Sequence, residues 1–212
     1  MKALRLSIVQ DHLAWEQKQQ NLKHFSKVLS PLKGETDLIV LPEMFTTGFS
    51  MNAEKLAETM EGPTVQWLKK QAADLSAAIM GSCIIRDMGK FYNRLLFVTP
   101  EGKTFYYDKR HLFSFAGEHE YYTGGTHRIL IPYKGWKIMP QICYDLRFPV
   151  WSRNTDDYDL LIYVANFPDK RRFAWQQLLT ARAIENQVYT IGVNRIGLDE
   201  NGIEYSGDSV CL

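Results

Sequence analysis

The chain has few cysteines, no excess of charge of one sign and no long apolar run, and each absence excludes a class of protein. Its 212 residues contain three cysteines, Cys83, Cys143 and Cys211, and no C-x-x-C pair. This excludes a disulfide framework and favours a reducing compartment. Lys and Arg number 25 against 24 Asp and Glu, so no overall field attracts nucleic acid or an anionic membrane. No segment approaches the roughly 20 apolar residues of a membrane helix, so we expect a cytoplasmic protein without nucleic-acid or membrane partners.

Short motifs that bind cofactors or metals are also missing. There is no G-x-S-x-G, no G-x-x-x-x-G-K-[ST] and no G-x-G-x-x-G. None of the five histidines has metal-binding spacing: His12, His24, His111, His119 and His127. We therefore expect neither a metal nor an organic cofactor. Two basic runs, Lys109-Arg110 and Lys170-Arg171-Arg172, are candidates for a local patch, but such runs are more often solvated faces.

Strand and helix signals alternate along the chain. Apolar runs predict strands over residues 3–9, 37–41, 78–85, 91–98, 103–107, 128–131, 136–142, 159–165 and 189–193. Helical spacing predicts helices through 22–29, from Pro63 onward and over 171–188, with Ala174, Leu178, Ala181, Ile184 and Val188 on one face of the last. This order favours a single α/β domain with helices covering a mixed sheet.

Three predicted strands are followed by polar or reactive side chains. Glu43, Lys109 and Cys143 each come at or just after the end of such a run. Taken singly, each has an ordinary explanation: a surface glutamate, a solvated lysine and a buried small hydrophobe. Taken together, they fit a site at the rim of a sheet, where α/β proteins place their chemistry.

Cys143 is the candidate nucleophile because the residues after it predict a sharp turn from strand to helix. Backbone N–H groups at a helix start favour a thiolate or an oxyanion. The base could be a carboxylate such as Glu43, or His111 in a cysteine–histidine dyad, although nothing local distinguishes His111 from the other histidines.

Three ordered blocks resemble the signature of the nitrilase superfamily of carbon–nitrogen hydrolases. They are L-P-E-M-F at 41–45, Y-D-K-R-H-L-F at 107–113 and Q-I-C-Y-D-L-R-F-P at 141–149. Further matching stretches lie at 62–64, 164–168, 182–186 and 205–209. Within the superfamily, the chain is most similar to the ω-amidases. The resemblance implies a four-layer αββα sandwich, and it implies a single domain over 1–212 that lacks its C-terminal end.

The resemblance also implies roles for individual residues. Glu43 corresponds to the general base, Lys109 to the cation and Cys143 to the nucleophile. The second glutamate of the family corresponds to Glu118, with Glu120 close enough to exchange with it. The backbone N–H of Tyr144 is the expected oxyanion donor. Many relatives have an acidic residue where this chain has Val150, which weakens the transfer of any substrate-contact role to that position and leaves Glu43, Lys109 and Cys143 unaffected.

The implied reaction is hydrolysis of the terminal amide of a small 2-oxo dicarboxylate monoamide, such as 2-oxoglutaramate, through a cysteine thioester. The alternatives are a hydrolase of another small amide, carbamoyl compound or nitrile, and a catalytically silent relative that binds a small molecule. Arg110, Arg147 and Arg172 are candidates for binding the substrate carboxylate, and the sequence does not choose among them. The family resemblance further implies a homodimer.

Overall fold

The protein is described by a computed structural model, which covers residues 3–212. Its first sheet has five strands in the order β1-β2-β3-β4-β5. The first three strands are parallel, and the last three form antiparallel hairpin pairs. The strands are β1 (Leu6–Ile8), β2 (Leu38–Val40), β3 (Ala78–Asp87), β4 (Lys90–Val98) and β5 (Thr104–Asp108).

The second sheet also has five strands, in the order β12-β9-β8-β7-β6. Its central strands β7, β8 and β9 run parallel, and both edge strands are antiparallel to their neighbours. The strands are β6 (Ile131–Tyr133), β7 (Trp136–Ile142), β8 (Leu160–Ala165), β9 (Tyr189–Asn194) and β12 (Val210–Cys211). A separate hairpin consists of β10 (Ile196–Leu198) and β11 (Glu204–Ser206).

The longer helices cover the outer faces of the two sheets, and the four-residue helices lie in connections between strands. They are α1 (Lys18–Leu29), α2 (Ala53–Leu56), α3 (Pro63–Leu75), α4 (Glu118–Tyr121), α5 (Pro149–Ser152) and α6 (Arg172–Asn186). Apolar residues of α1 and α3 pack on one face of the first sheet, and α6 packs on β9 of the second. The inner faces meet in a shared core, where the Phe97 and Tyr133 rings lie 5.3 Å apart across the sheets. The result is the expected αββα sandwich with mixed sheets.

The structure corrects two predictions about local elements. The expected apolar face of the last helix is wrong in part, because Ile184 is 71% exposed while Trp175 and Leu179 are buried. Leu178 and Val188 do pack against the core, as expected, but are only partly buried. Trp175 and Leu179 each come one position after a residue of the predicted face. The buried face is therefore rotated by one residue relative to the prediction. The strand predicted over 128–131 lies instead at Ile131–Tyr133, because pairing with β7 begins only at Ile131.

Strand order brings the polar ends of four strands together. Residues directly after β2 and β5 belong to the first sheet, and those directly after β7 and β8 belong to the second. The two sheets pack face to face, so these ends meet at one edge of the shared core. Among residues 3–212, no helix is long and apolar enough to cross a membrane.

Candidate active site

Glu43, Lys109 and Cys143 lie together although they are far apart in the sequence. Glu43 and Lys109 are completely buried, and Cys143 retains 9% of its exposed area. Glu43 follows β2, Lys109 follows β5 and Cys143 follows β7. Lys109 is therefore not the solvated residue that its position in a basic run suggested. A buried lysine requires compensation by carboxylates, which this site provides.

The Lys109 ammonium donates to two carboxylates. Its Nζ lies 2.9 Å from Glu43 Oε1, 2.9 Å from Glu118 Oε2 and 3.1 Å from Glu118 Oε1. Burial alone would lower the pKa of Lys109, but the negative charges of Glu118 and Glu43 outweigh it and raise the pKa overall. Burial and the charge of Glu43 raise the pKa of Glu118, while Lys109 opposes both. The two buried carboxyl groups therefore favour the ammonium form of Lys109.

Geometry distinguishes Glu118 from its neighbour Glu120. Glu118 is completely buried at the start of α4, whereas Glu120 is exposed to solvent. Besides its contacts with Lys109, Glu118 Oε2 accepts the Phe113 N–H at 2.5 Å. Glu118 is thus the second glutamate that the structure brings to Lys109.

Two asparagines that sequence reasoning gave no role complete the surroundings of Glu43. The Asn93 amide donates to Glu43 Oε1 at 2.8 Å and to Glu118 Oε1 at 3.3 Å. The Asn166 N–H donates to Glu43 Oε2 at 2.8 Å, and its side-chain amide donates to the Glu43 carbonyl at 2.5 Å. Each Glu43 carboxylate oxygen is therefore held by donors. Asn166 directly follows the apolar strand β8, a position that could have indicated its role, whereas Asn93 in the middle of β4 had no such signal.

Cys143 occupies a strained turn between β7 and a 3₁₀ helix, Cys143–Arg147. Its φ of 44° lies in the left-handed region, which is uncommon for a residue other than glycine. Met44, directly after Glu43, has the same φ. Such strain persists only where the surroundings hold it, and it is concentrated at functional sites. The turn places the Tyr144 N–H in the first turn of the 3₁₀ helix, where the helix itself supplies no acceptor.

Asp145 stabilises this turn through hydrogen bonds. Its buried carboxylate accepts the Ile142 N–H at 3.1 Å and the Tyr107 hydroxyl at 2.7 Å. It also accepts the His111 N–H at 2.9 Å, and His111 Nδ1 lies 2.8 Å from the same oxygen. One carboxylate therefore connects the Cys143 turn to β5 and to the segment after Lys109.

These contacts argue against a cysteine–histidine dyad. The His111 ring stacks on Phe148 at 3.7 Å between centroids and directs Nδ1 at Asp145. In the described part of the chain, no hydrogen bond joins His111 to Cys143. The recorded polar contact of the Cys143 sulfur is with the Asn166 carbonyl, at 3.9 Å.

The surroundings of Cys143 favour the neutral thiol over the thiolate. Burial raises the pKa of the thiol well above its usual range. The negative charge of Glu43 raises the pKa further, while Lys109 acts in the opposite direction. Nucleophilic attack by this sulfur therefore requires that its proton be transferred to a base, and Glu43 is the adjacent carboxylate.

A cavity opens above the sulfur. Its wall is largely aromatic, formed by Phe49, Phe113, Tyr144, Phe167 and Tyr205. Arg147 and Arg171 also line it, whereas Arg110 is directed at the Gly125 carbonyl and Arg172 at Asp208. Arg171 was interpreted as part of a solvated run, so its place in the cavity corrects that prediction. Among residues 3–212, no group of three or more His, Cys, Asp or Glu side chains is arranged to hold a metal ion.

The chain is similar to known proteins along nearly its whole length. A family model described as carbon-nitrogen hydrolase matches residues 5–211. The omega-amidase YafV of Yersinia enterocolitica is 50% identical over 212 residues, which cover 100% of this chain and 82% of that protein. The 2-oxoglutaramate amidase of Bacillus subtilis is 32% identical, over 98% of this chain and 82% of its own length.

A solved structure is similar to this one over the whole chain. A CN-hydrolase superfamily protein from Xanthomonas campestris, with an arsenic adduct in its active site, superimposes with a TM-score of 0.98. It is 48% identical, and the match covers 100% of this chain and 83% of that one.

Proposed function

Because the chain belongs to the carbon-nitrogen hydrolase family, we propose that it is an amidase that releases ammonia from the terminal amide of a small 2-oxo dicarboxylate monoamide. The observation that carries the proposal is the buried contact of Lys109 with Glu43 and Glu118 beside a strained Cys143. The similarity to an omega-amidase and to a 2-oxoglutaramate amidase supports the substrate class. A silent relative that only bound a ligand would gain nothing from a buried cation between two carboxylates, which is costly to maintain.

In the first step, the Cys143 sulfur attacks the amide carbon and Glu43 takes the thiol proton. The carbonyl π electrons move to oxygen, and the oxyanion is stabilised by the Tyr144 N–H and by the positive charge of Lys109. Glu43, now protonated, donates its proton to the amide nitrogen. The carbon–nitrogen bond breaks, ammonia leaves and a thioester remains on Cys143.

In the second step, Glu43 takes a proton from water as the water oxygen attacks the thioester carbon. When the tetrahedral intermediate collapses, the carbon–sulfur bond breaks and Glu43 returns the proton to the sulfur. The carboxylic acid product leaves and the thiol is restored. A general base of this kind contributes about 10²–10⁴-fold to the rate. Glu118 keeps Lys109 beside Glu43 throughout, because Lys109 contacts both carboxylates.

The test is ammonia release from 2-oxoglutaramate, 2-oxosuccinamate, glutamine and a simple aliphatic nitrile. We expect turnover of the 2-oxo amides by the wild-type protein, none by Cys143→Ala, and a loss of at least about 10²-fold in Glu43→Gln. Intact mass spectrometry should detect an acyl adduct on Cys143 during turnover. Wild-type turnover in Cys143→Ala would refute the mechanism, and a preference for the nitrile would refute the substrate class.

We also propose that the chain acts in the cytoplasm as a homodimer. Exposed apolar side chains support the dimer: Val150 on α5 and Phe173 and Ile184 on α6 are all more than two-thirds exposed. Phe173 and Ile184 are about three helical turns apart and so lie on the same face of α6. Light scattering of the wild type and of Phe173→Glu tests this, and an unchanged molecular mass would contradict it.

A further inference from the structure

Charge is distributed unevenly around the cavity above Cys143. The side chains that line it, within the described residues, include three cations and no carboxylate. The charge of Lys109 is compensated by Glu43 and Glu118 beneath it. Arg147 and Arg171 have no carboxylate within ion-pair distance anywhere in residues 3–212, and their recorded partners are aromatic rings. The cavity therefore carries uncompensated positive charge directly above the nucleophile.

The two arginines differ in how they are held. The Arg171 guanidinium lies 4.9 Å from the centre of the Phe113 ring, and Arg147 lies 5.9 Å from that of Phe167. Arg171 is partly buried, whereas Arg147 is exposed. A partly buried charge is screened less by water and salt, so it attracts an anion more strongly.

The backbone of Phe113 is hydrogen-bonded to the proposed catalytic centre. The Phe113 N–H donates to Glu118 at 2.5 Å, and Glu118 in turn accepts from Lys109. Arg171 thus packs on Phe113, and the position of Phe113 depends on the same Glu118 carboxylate that accepts from Lys109. Its planar fork of N–H donors matches a carboxylate, and its stacking on a ring limits the conformations it can adopt.

We propose that Arg171 is the specificity-determining residue that binds the carboxylate of the substrate at the far end from the amide. This inference rests on the proposed function and adds to it the residue that selects anionic over neutral amides. Arg171 acts on the free carboxylate and takes no part in bond breaking. The aromatic wall provides the surface along which the carbon chain between the amide and the carboxylate lies.

The kinetic test compares two substrates that differ only at the far end, succinamate with a carboxylate and butanamide with a methyl group. In Arg171→Gln we expect kcat/KM for succinamate to fall about 10- to 100-fold, the value of one charge-assisted hydrogen-bonded contact. The value for butanamide should change less than about threefold. Arg171→Lys should recover part of the loss. The matched control is Lys170→Gln, which removes a neighbouring exposed cation and should leave both substrates unaffected.

A binding test separates failure of this inference from failure of the proposed function. In the Cys143→Ala background, calorimetry with succinate measures carboxylate binding without turnover. Adding Arg171→Gln should weaken binding about 10- to 100-fold, and adding Lys170→Gln should not. The proposal would be overturned if Arg171→Gln lowered kcat/KM equally for both amides or left the binding of succinate unchanged. It would also be overturned if selectivity changed in Arg147→Gln but not in Arg171→Gln. Absence of turnover of any amide by the wild type would overturn the proposed function and leave the binding result to decide on Arg171.

Discussion

Replacing Glu118 with glutamine tests how the buried cation is held. Glutamine has nearly the same shape as glutamate, so the change removes charge without opening a cavity. The variant loses the carboxylate that accepts from Lys109 Nζ at 2.9 and 3.1 Å and from the Phe113 N–H at 2.5 Å. Lys109 is then paired with Glu43 alone, although it is completely buried.

The size of the effect can be estimated from these contacts. A hydrogen bond to a charged group contributes about 1.5–3 kcal/mol, and about 1.4 kcal/mol corresponds to a factor of ten. Glutamine still accepts through its amide oxygen, so part of the interaction is retained. We expect kcat for the amide substrate to fall about 10- to 100-fold, with a smaller change in KM because Glu118 does not line the cavity.

The pH dependence gives a second measurement with a definite sign. The negative charge of Glu118 raises the pKa of Lys109, so its removal lowers that pKa. In the proposed mechanism Lys109 acts as a cation, so activity limited by its deprotonation would be lost at lower pH in the variant. We therefore expect the alkaline limb of the kcat profile to move to lower pH.

The matched control is Glu120→Gln, which removes the same charge from an exposed position two residues away. It should retain wild-type kcat and the wild-type pH profile. The reasoning is refuted if Glu118→Gln retains more than half of wild-type kcat while remaining folded by circular dichroism. It is also refuted if the two variants lose equal activity.

Two further predictions concern stability. The hydrogen bond from Lys134 lowers the pKa of Asp37 to about 2, against the effect of burial. Since the unfolded value is about 3.9, its contribution is present above that pH and lost as pH falls towards 2. Lys134 is half exposed, so we expect Asp37→Asn to reduce the urea-derived free energy of unfolding by about 1 kcal/mol at pH 7 and by less near pH 3. If the difference in free energy of unfolding between the wild type and Asp37→Asn did not change with pH, the prediction would be contradicted. A Cβ on Gly192 would lie 2.4 Å from Leu179 Cδ1, so Gly192→Ala should destabilise the fold by about 1–3 kcal/mol, and an unchanged urea midpoint would show that α6 can shift to accommodate it.

Most strands were predictable because their apolar runs are short and bounded by polar residues. β8 is the clearest example, since all its side chains are buried and its sequence, L-L-I-Y-V-A, is a continuous apolar run. The buried face of α6 was not predictable in this way. Small and large apolar residues alternate along that helix, and only the packing of Trp175 and Leu179 against β9 selects the face that is buried.

The candidate site was partly predictable for a related reason. Glu43, Lys109 and Cys143 could be identified because each follows a strand and belongs to a block that resembles the same family. Asn93 could not, because its amide contacts two carboxylates that are distant in the sequence. Arg171 could not, because one arginine in a run of three basic residues has no local feature that directs it into a cavity.

The sequence by itself determined the order of strands and helices, the family and the three residues proposed to carry out the reaction. These depend on local patterns, namely apolar periodicity, the residues at strand ends and short contiguous blocks. The tertiary structure alone decided that Glu118 rather than Glu120 meets Lys109, that His111 serves Asp145 rather than Cys143, and that Arg171 rather than Arg110 or Arg172 lines the cavity. Each of these choices depends on which side chains the packing of the two sheets brings within about 3–5 Å of one another. Charge and hydrogen bonding act over this distance, and the spacing of residues along the chain does not indicate it.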